Sequence, residues 1–336
     1  MKILSIVVPC YNSQDYMRKC VDSLLKGGDD VEIILIDDGS TDKTGAIADG
    51  YADLYPDIVK VVHQENGGHG EGINSGVKVA TGRFFKVVDS DDYLSGDLVG
   101  FLPVLKTAAY DADLVVSDYV YTYTDPTKNN RIGYGNIFKP YTVLSWEDTN
   151  AFNPKQYLTI HSCVFNTEVI RKSGMVLPKK LFYEDNLMVC TVLPFTRSIF
   201  YCDIGLYHYC IGREGQSVQE DVMTKRYSHQ LTIAAMIFET CKLDEVKKIS
   251  KRLYKLMYHE MFLMFGIACV FARKSKDPSA YENLEKMWER AYKFDKKYAE
   301  RFRKRSALKL VSMRGDTGKW IATALYSVAH KIVKFN

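Results

Sequence analysis

Short runs of β-branched and aliphatic residues alternate with amphipathic segments through the first hundred residues, the pattern of βαβ units built around a largely parallel sheet. Four such runs, at residues 3–8, 31–36, 59–63 and 84–88, predict strands. Their unbroken apolar character predicts a sheet covered on both faces. The intervening stretches carry apolar residues at helical spacing after polar starts, and predict helices over residues 13–26, 42–54 and 70–80. Beyond Asp113 the pattern lengthens. Residues 114–123 alternate with aromatic side chains and the polar stretch 125–130 reads as a hairpin turn, so the sheet is expected to continue in mixed fashion. After Asp221 nearly everything reads helical, with Ile249, Leu253, Leu256, Phe262 and Phe265 near helical spacing. The predicted architecture is α/β: a Rossmann-like, mostly parallel mixed sheet flanked by helices over residues 1–219, then a helical C-terminal domain with a basic tail over residues 220–336.

Composition changes this picture little. With 46% hydrophobic and 26% charged residues the chain has the make-up of an ordinary folded protein, and no long disordered stretch is expected. The N-terminal apolar run stops at Pro9, too short for a secretory signal, and no later stretch approaches a membrane-spanning length, so a cytoplasmic protein is expected. Eight cysteines without any C-x-x-C pair disfavour a zinc site or disulfide framework and predict reduced, mostly buried thiols.

Charge is uneven. Residues 286–336 hold fourteen Lys and Arg against four Asp and Glu, whereas the rest of the chain is net acidic. The basic stretch 296–305 precedes an apolar-patterned segment at 320–335. Two readings stay open: an amphipathic contact with anionic lipid at the inner membrane face, or a helical domain with a solvated basic face. The helical region could also bury a partner in an oligomer. Nucleic acid is not an expected partner, because one basic segment without a recognition module is not a binding surface.

In open α/β sheets ligands bind at the carboxyl ends of the strands. There the four predicted strands are followed by Pro9-Cys10-Tyr11-Asn12, by Asp37-Asp38-Gly39-Ser40-Thr41-Asp42, by Asn66-Gly67-Gly68-His69-Gly70-Glu71 and by Asp89-Ser90-Asp91-Asp92. Alone, the second motif reads equally well as a turn and helix cap. Three carboxylates within four residues are harder to explain without a divalent cation, and Mg²⁺ or Mn²⁺ held together with substrate phosphates fits them.

Together, Ile6-Val7-Val8-Pro9-Cys10-Tyr11-Asn12, Ile36-Asp37-Asp38-Gly39-Ser40-Thr41-Asp42 and Asp89-Ser90-Asp91-Asp92 resemble, in order and spacing, the family 2 glycosyltransferases of GT-A fold over roughly residues 1 to 215. The resemblance implies an inverting, metal-dependent transfer from a UDP-sugar to a carbohydrate acceptor, free or lipid-linked, in cell-surface polysaccharide synthesis. It implies that Pro9, Tyr11 and Asn12 border the nucleoside and that Asp38 accepts from its base. Asp91 would stand at the ribose and metal end, with Asp89 and Asp92 as metal ligands. Glu184-Asp185 resembles the family's base motif, with Asp185 as general base, although the pair would also serve simply to open a helix. In the late loop, Arg213 with Ser217 or Gln216 would close over the diphosphate; an exposed arginine in a glycine-rich turn is the equal alternative. Many relatives carry an arginine where Ile73 stands, so Gly68 backbone and His69 are expected to meet the phosphates instead. His161 is expected before a helix, where it could line the acceptor side, although a lone histidine is more often a satisfied structural residue.

Other classes fit less well. No glycine-rich triphosphate loop supports a nucleotidylyltransferase, and Gly68-His69-Gly70-Glu71-Gly72 lacks dinucleotide-binding spacing. A catalytically silent nucleotide-sugar or glycan-binding module is the remaining alternative, and it would have no chemical need for Glu184-Asp185.

Overall fold

The structure is a computed structural model that describes residues 1–212, 216, 219–315, 318 and 320–324. It divides into two compact units: Met1–Ala151 with Leu158–Ile211, and Phe152–Tyr157 with the described residues from Gly212 onward.

The first unit holds ten strands: β1 (Leu4–Cys10), β2 (Val31–Asp37), β3 (Val59–His63), β4 (Phe84–Val87), β5 (Tyr93–Leu94), β6 (Leu114–Thr122), β7 (Asn130–Ile132), β8 (Val143–Leu144), β9 (Cys163–Asn166) and β10 (Ile199–Cys210). The sheet order is β3-β2-β1-β4-β9-β6-β10-β5, with β7 on β6 and β8 on β10. The first four strands in space are parallel, and β9 enters antiparallel between β4 and β6. All seven residues of β1 and of β2 are buried, as their unbroken apolar runs predict. The polar stretch after β6 turns the chain back so that β7 pairs antiparallel with β6, the expected hairpin.

Six helices belong to this unit: α1 (Met17–Leu24), α2 (Thr44–Leu54), α3 (His69–Val79), α4 (Leu98–Lys106), α5 (Thr167–Ser173) and α6 (Glu184–Val192). Helix α3 lies so close to β1 that a Cβ on Gly76 would stand 2.4 Å from Val7 Cγ1, and one on Gly72 would stand 3.1 Å from Pro9 Cβ. Glycine is therefore what lets the helix start at the end of β1 and point its N-terminus at the rim. His161 precedes strand β9 and not a helix, which corrects the sequence expectation.

The second unit is helical: α7 (Glu220–Lys225), α8 (Tyr227–Glu239), α9 (Leu243–Ile249), α10 (Lys251–Lys274), α11 (Ala280–Phe294), α12 (Lys296–Lys304) and α13 (Ser306–Val311). Its core is aromatic, with ring centroids 4.9 Å apart for Phe265 and Trp288 and 5.6 Å apart for Phe238 and Phe302. Contrary to the expectation of no membrane-length stretch, the 24-residue α10 is long and apolar enough to cross one. Leu253, Leu256, Met257, Phe265 and Phe271 on that helix are buried inside the unit, as in a core helix. The eight cysteines are free thiols, six of them buried.

Candidate active site

The four rim motifs meet at the carboxyl ends of β1, β2, β3 and β4. Asn12, at φ 50°, accepts from the Thr41 amide at 2.9 Å and takes the Ser40 hydroxyl with its own amide at 3.1 Å, tying the first loop to the second. Pro9 is buried at the end of β1, whereas Tyr11 is 53% exposed. Asp38 is buried and accepts from the amides of Gly67 (2.8 Å) and Gly68 (2.7 Å) and from Gln64 Nε2 (2.7 Å). Its carboxylate thus holds the glycine turn, which differs from the expected role of accepting from a nucleobase.

Gly68 sits at φ 86°, and the Lys180 amide donates to the Gly67 carbonyl at 2.7 Å, so the turn is pinned against residues 177–180. Immediately after it, His69 opens α3 and bridges two carboxylates: Nδ1 to Glu184 at 2.8 Å and Nε2 to Asp89 at 2.9 Å. Burial opposes a charge on this imidazole, but the bonds to Asp89 and Glu184 outweigh it and raise its pKa well above the ordinary value. Both ring nitrogens are engaged by carboxylates, where the sequence suggested a phosphate contact.

Asp92 is buried, with Oδ2 accepting from the Tyr207 hydroxyl at 2.6 Å and Oδ1 from the Cys210 amide at 2.7 Å. Burial and then the charge of Asp89 push its pKa up. For Asp89 burial works the same way, yet His161 and His69 outweigh it and hold the carboxylate ionised. His161 Nε2 lies 3.6 Å from Asp89 Oδ2, and its ring stacks on Tyr209 with centroids 4.7 Å apart. Asp89, Asp92 and His161 present one ligand atom each, all within 4.8 Å of one another, whereas the half-buried Asp91 stands outside that group. Two carboxylates together with an imidazole form a donor set that could hold a divalent cation. The sequence reading set His161 aside because nothing in its local pattern ties it to Asp89.

Glu184 and Asp185 form the first turn of α6. Tyr183 before them takes φ 73°, a left-handed conformation that costs a non-glycine residue energy and is concentrated at functional sites. Glu184 is buried; Asp185 is half-buried, with its Oδ1 accepting from Asn186 Nδ2 at 3.0 Å. Burial, then the charge of Glu184, push Asp185 up to about 6, while His161 and His69 pull the other way. A half-buried carboxyl of raised pKa at the head of a helix suits proton abstraction from a hydroxyl. Arg213 and Ser217 lie outside the described residues; Gln216 Oε1 accepts from the Gly212 amide at 2.9 Å.

The model of "Glycosyl transferase family 2" matches residues 5–172, half of the chain. The chain belongs to glycosyltransferase family 2. Among relatives, "Putative glycosyltransferase EpsH" of Bacillus subtilis is 29% identical over 251 residues, 73% of this chain and 72% of that one. "Minor teichoic acid biosynthesis protein GgaB" of the same organism is 24% identical over 271 residues, 76% of this chain, which spans only 28% of that longer protein. Staphylococcus aureus TarS 1–349, solved in complex with UDP-GlcNAc, superposes with a TM-score of 0.60 over 98% of this chain and 92% of that one, at 18% identity. The family 2 assignment and the TarS likeness establish a glycosyltransferase of GT-A fold.

Proposed function

We propose that this glycosyltransferase moves a sugar from a UDP-sugar onto a hydroxyl of a carbohydrate acceptor with inversion, assisted by Mn²⁺ or Mg²⁺, in the synthesis of a cell-surface polymer. The observation that carries the reading is the carboxyl of Asp185 at the head of α6, raised to about 6 by burial and by Glu184 and within electrostatic reach of His161, a member of the Asp89–Asp92–His161 group. A single displacement needs one carboxylate to take the acceptor proton while the diphosphate departs from the opposite face, so no covalent nucleophile is required. Asp89, Asp92 and His161 would hold the cation, which when bound supplies charge neutralisation for the departing diphosphate. Pro9 and Tyr11 border the nucleoside, and Asp91, on the same loop as Asp89, faces the ribose end. TarS in complex with UDP-GlcNAc supports a uridine donor, and GgaB, by its name, supports a polymer of the cell surface.

The enzyme acts in the cytoplasm in this reading, and the C-terminal basic region makes a peripheral contact with the membrane carrying a lipid-linked acceptor. Much of that basic character is compensated within the helical unit: Lys297 pairs with Asp244 at 2.7 Å and Arg303 with Glu285 at 2.8 Å. The membrane part of the proposal is therefore the first to drop if anionic vesicles fail to sediment the protein at low salt.

The test is calorimetric titration of UDP-sugars with Mn²⁺ and with EDTA, alongside UDP release on a glycan acceptor. Metal-dependent binding and release are expected. Absence of nucleotide-sugar binding with any cation would overturn the donor assignment, and binding without release or transfer would leave a silent binding module in its place.

A further inference from the structure

We infer that His69 is a positioning residue for transfer: its imidazole ties Asp89, on the cation-binding loop, to Glu184, at the head of α6, and fixes the separation between the two ends of the reaction. This rests on the function proposed above. The ring is held from both sides, with 2.8 Å to Glu184 Oε1 and 2.9 Å to Asp89 Oδ1. Its backbone is equally confined. Gly68 before it has φ 86°, and a Cβ on Gly68 would stand 2.9 Å from the Lys180 amide. Gly70 after it has Glu184 Cγ and the Pro178 carbonyl each 3.0 Å from where a Cβ would be. The segment 67–70 is therefore wedged against the segment that leads into α6, and the planar ring spans the remaining gap.

An imidazole bonded to a carboxylate at each nitrogen must donate from both, at a separation set by the ring and not by rotamers. The carboxylates it joins are 95 positions apart in sequence, one adjoining the cation group and the other adjoining the proposed base Asp185. A shift of either end would displace the acceptor hydroxyl from the line of attack, and such a misplacement of about 1 Å costs on the order of 10²-fold in rate.

The experiment compares the full chain with its His69→Gln and His69→Ala variants. Turnover with saturating donor and saturating Mn²⁺ is expected to fall about 100-fold, more than any loss in the affinity for UDP with Mn²⁺, the signature of lost orientation beyond lost binding. Backbone amides of residues 183–187 are expected to exchange faster with deuterium in both variants, with the far-ultraviolet dichroism unchanged. In a Glu184→Gln background, His69→Ala should cost at least about tenfold less than it does alone, because the link is already broken. Unchanged turnover, a loss confined to UDP affinity, or additive effects of the two substitutions would overturn the inference. If the unaltered enzyme transfers nothing from any donor, the proposed function fails, and the exchange measurement still decides the link: unchanged exchange at 183–187 contradicts it.

Discussion

Asp185 and Asp92 are neighbours of the same acidic group, and burial raises the pKa of both, yet they are committed differently. Asp92 spends its oxygens on Tyr207 and the Cys210 amide and so locks β10 to the acidic loop, whereas Asp185 keeps a half-buried carboxyl raised to about 6. As a base it works only when ionised, so kcat/KM is expected to rise with pH through about 6 and level off above it, measured as UDP release across pH 5 to 8. A profile flat down to pH 5 would exclude Asp185 from the proton transfer. The same shift has a stability consequence. The folded-state value of about 6 lies above the roughly 3.9 of an unfolded aspartate. This group therefore favours folding below about pH 4, that contribution is lost as pH rises through about 6, and at neutral pH its charge is a net cost. Asp185→Asn should raise the Tm at pH 7.5 by roughly 2–4 °C while removing activity, and a lowered Tm would mean that the carboxylate is not strained where it stands.

At the scale of elements, what the sequence made legible is what local pattern encodes. The four parallel strands, the hairpin after β6 and the helix from Glu184 to Val192 follow from apolar periodicity and turn residues, and the acidic rim follows from what comes after each strand. Residue 13 is the expected start of α1, which runs from Met17, whose amide donates to the Ser13 carbonyl at 3.0 Å. Ser13 is tied to α2 and to the acidic loop, its amide donating to Thr44 Oγ1 at 2.7 Å and its hydroxyl meeting Ser90 Oγ at 2.8 Å. His161 and Tyr207 were not legible as site residues, since the sheet order that carries β9 and β10 back to the acidic loop is a long-range pairing that no local window records. Phe152–Tyr157 belongs with the helical unit although its neighbours on both sides belong to the sheet unit, a division equally invisible to periodicity.

The closeness of α3 to β1 gives an element-scale prediction. With Val7 Cγ1 2.4 Å from the added methyl, Gly76→Ala should cost roughly 1–3 kcal/mol in urea unfolding through overpacking. No loss would mean that helix and strand are free to part. Glu32 braces the opposite end of the same strands. It accepts from the Ser5 hydroxyl at 2.5 Å, from Lys60 at 2.7 Å and from the Thr81 and Gly82 amides. Burial alone would raise its pKa, but these bonds outweigh it and lower it to about 2. Its contribution to stability is present above the unfolded value near 4.3 and is lost as pH falls from there through about 2. The Tm gap between wild type and Glu32→Gln should therefore narrow from about pH 4.3 downwards and close near about pH 2, measured by scanning calorimetry, and a constant gap would contradict the brace.

For the molecule as a whole, the sheet unit carries the described residues of the proposed proton transfer and cation site, whereas Gln216 of the expected late loop falls in the helical unit. The helical unit has its own aromatic core and its own internal ion pairs. In the proposed reaction Asp185 deprotonates the acceptor while the donor is held elsewhere on the sheet unit's rim. The most direct test is to measure donor affinity and turnover together for the unaltered enzyme and for Asp185→Asn, with a UDP-sugar and Mn²⁺ at pH 7.5. The expected result is a donor Kd within about twofold and turnover lower by about 10³-fold, in the range for removing a general base. Turnover within about tenfold of the unaltered enzyme, or turnover lost only in proportion to donor binding, would contradict the claim.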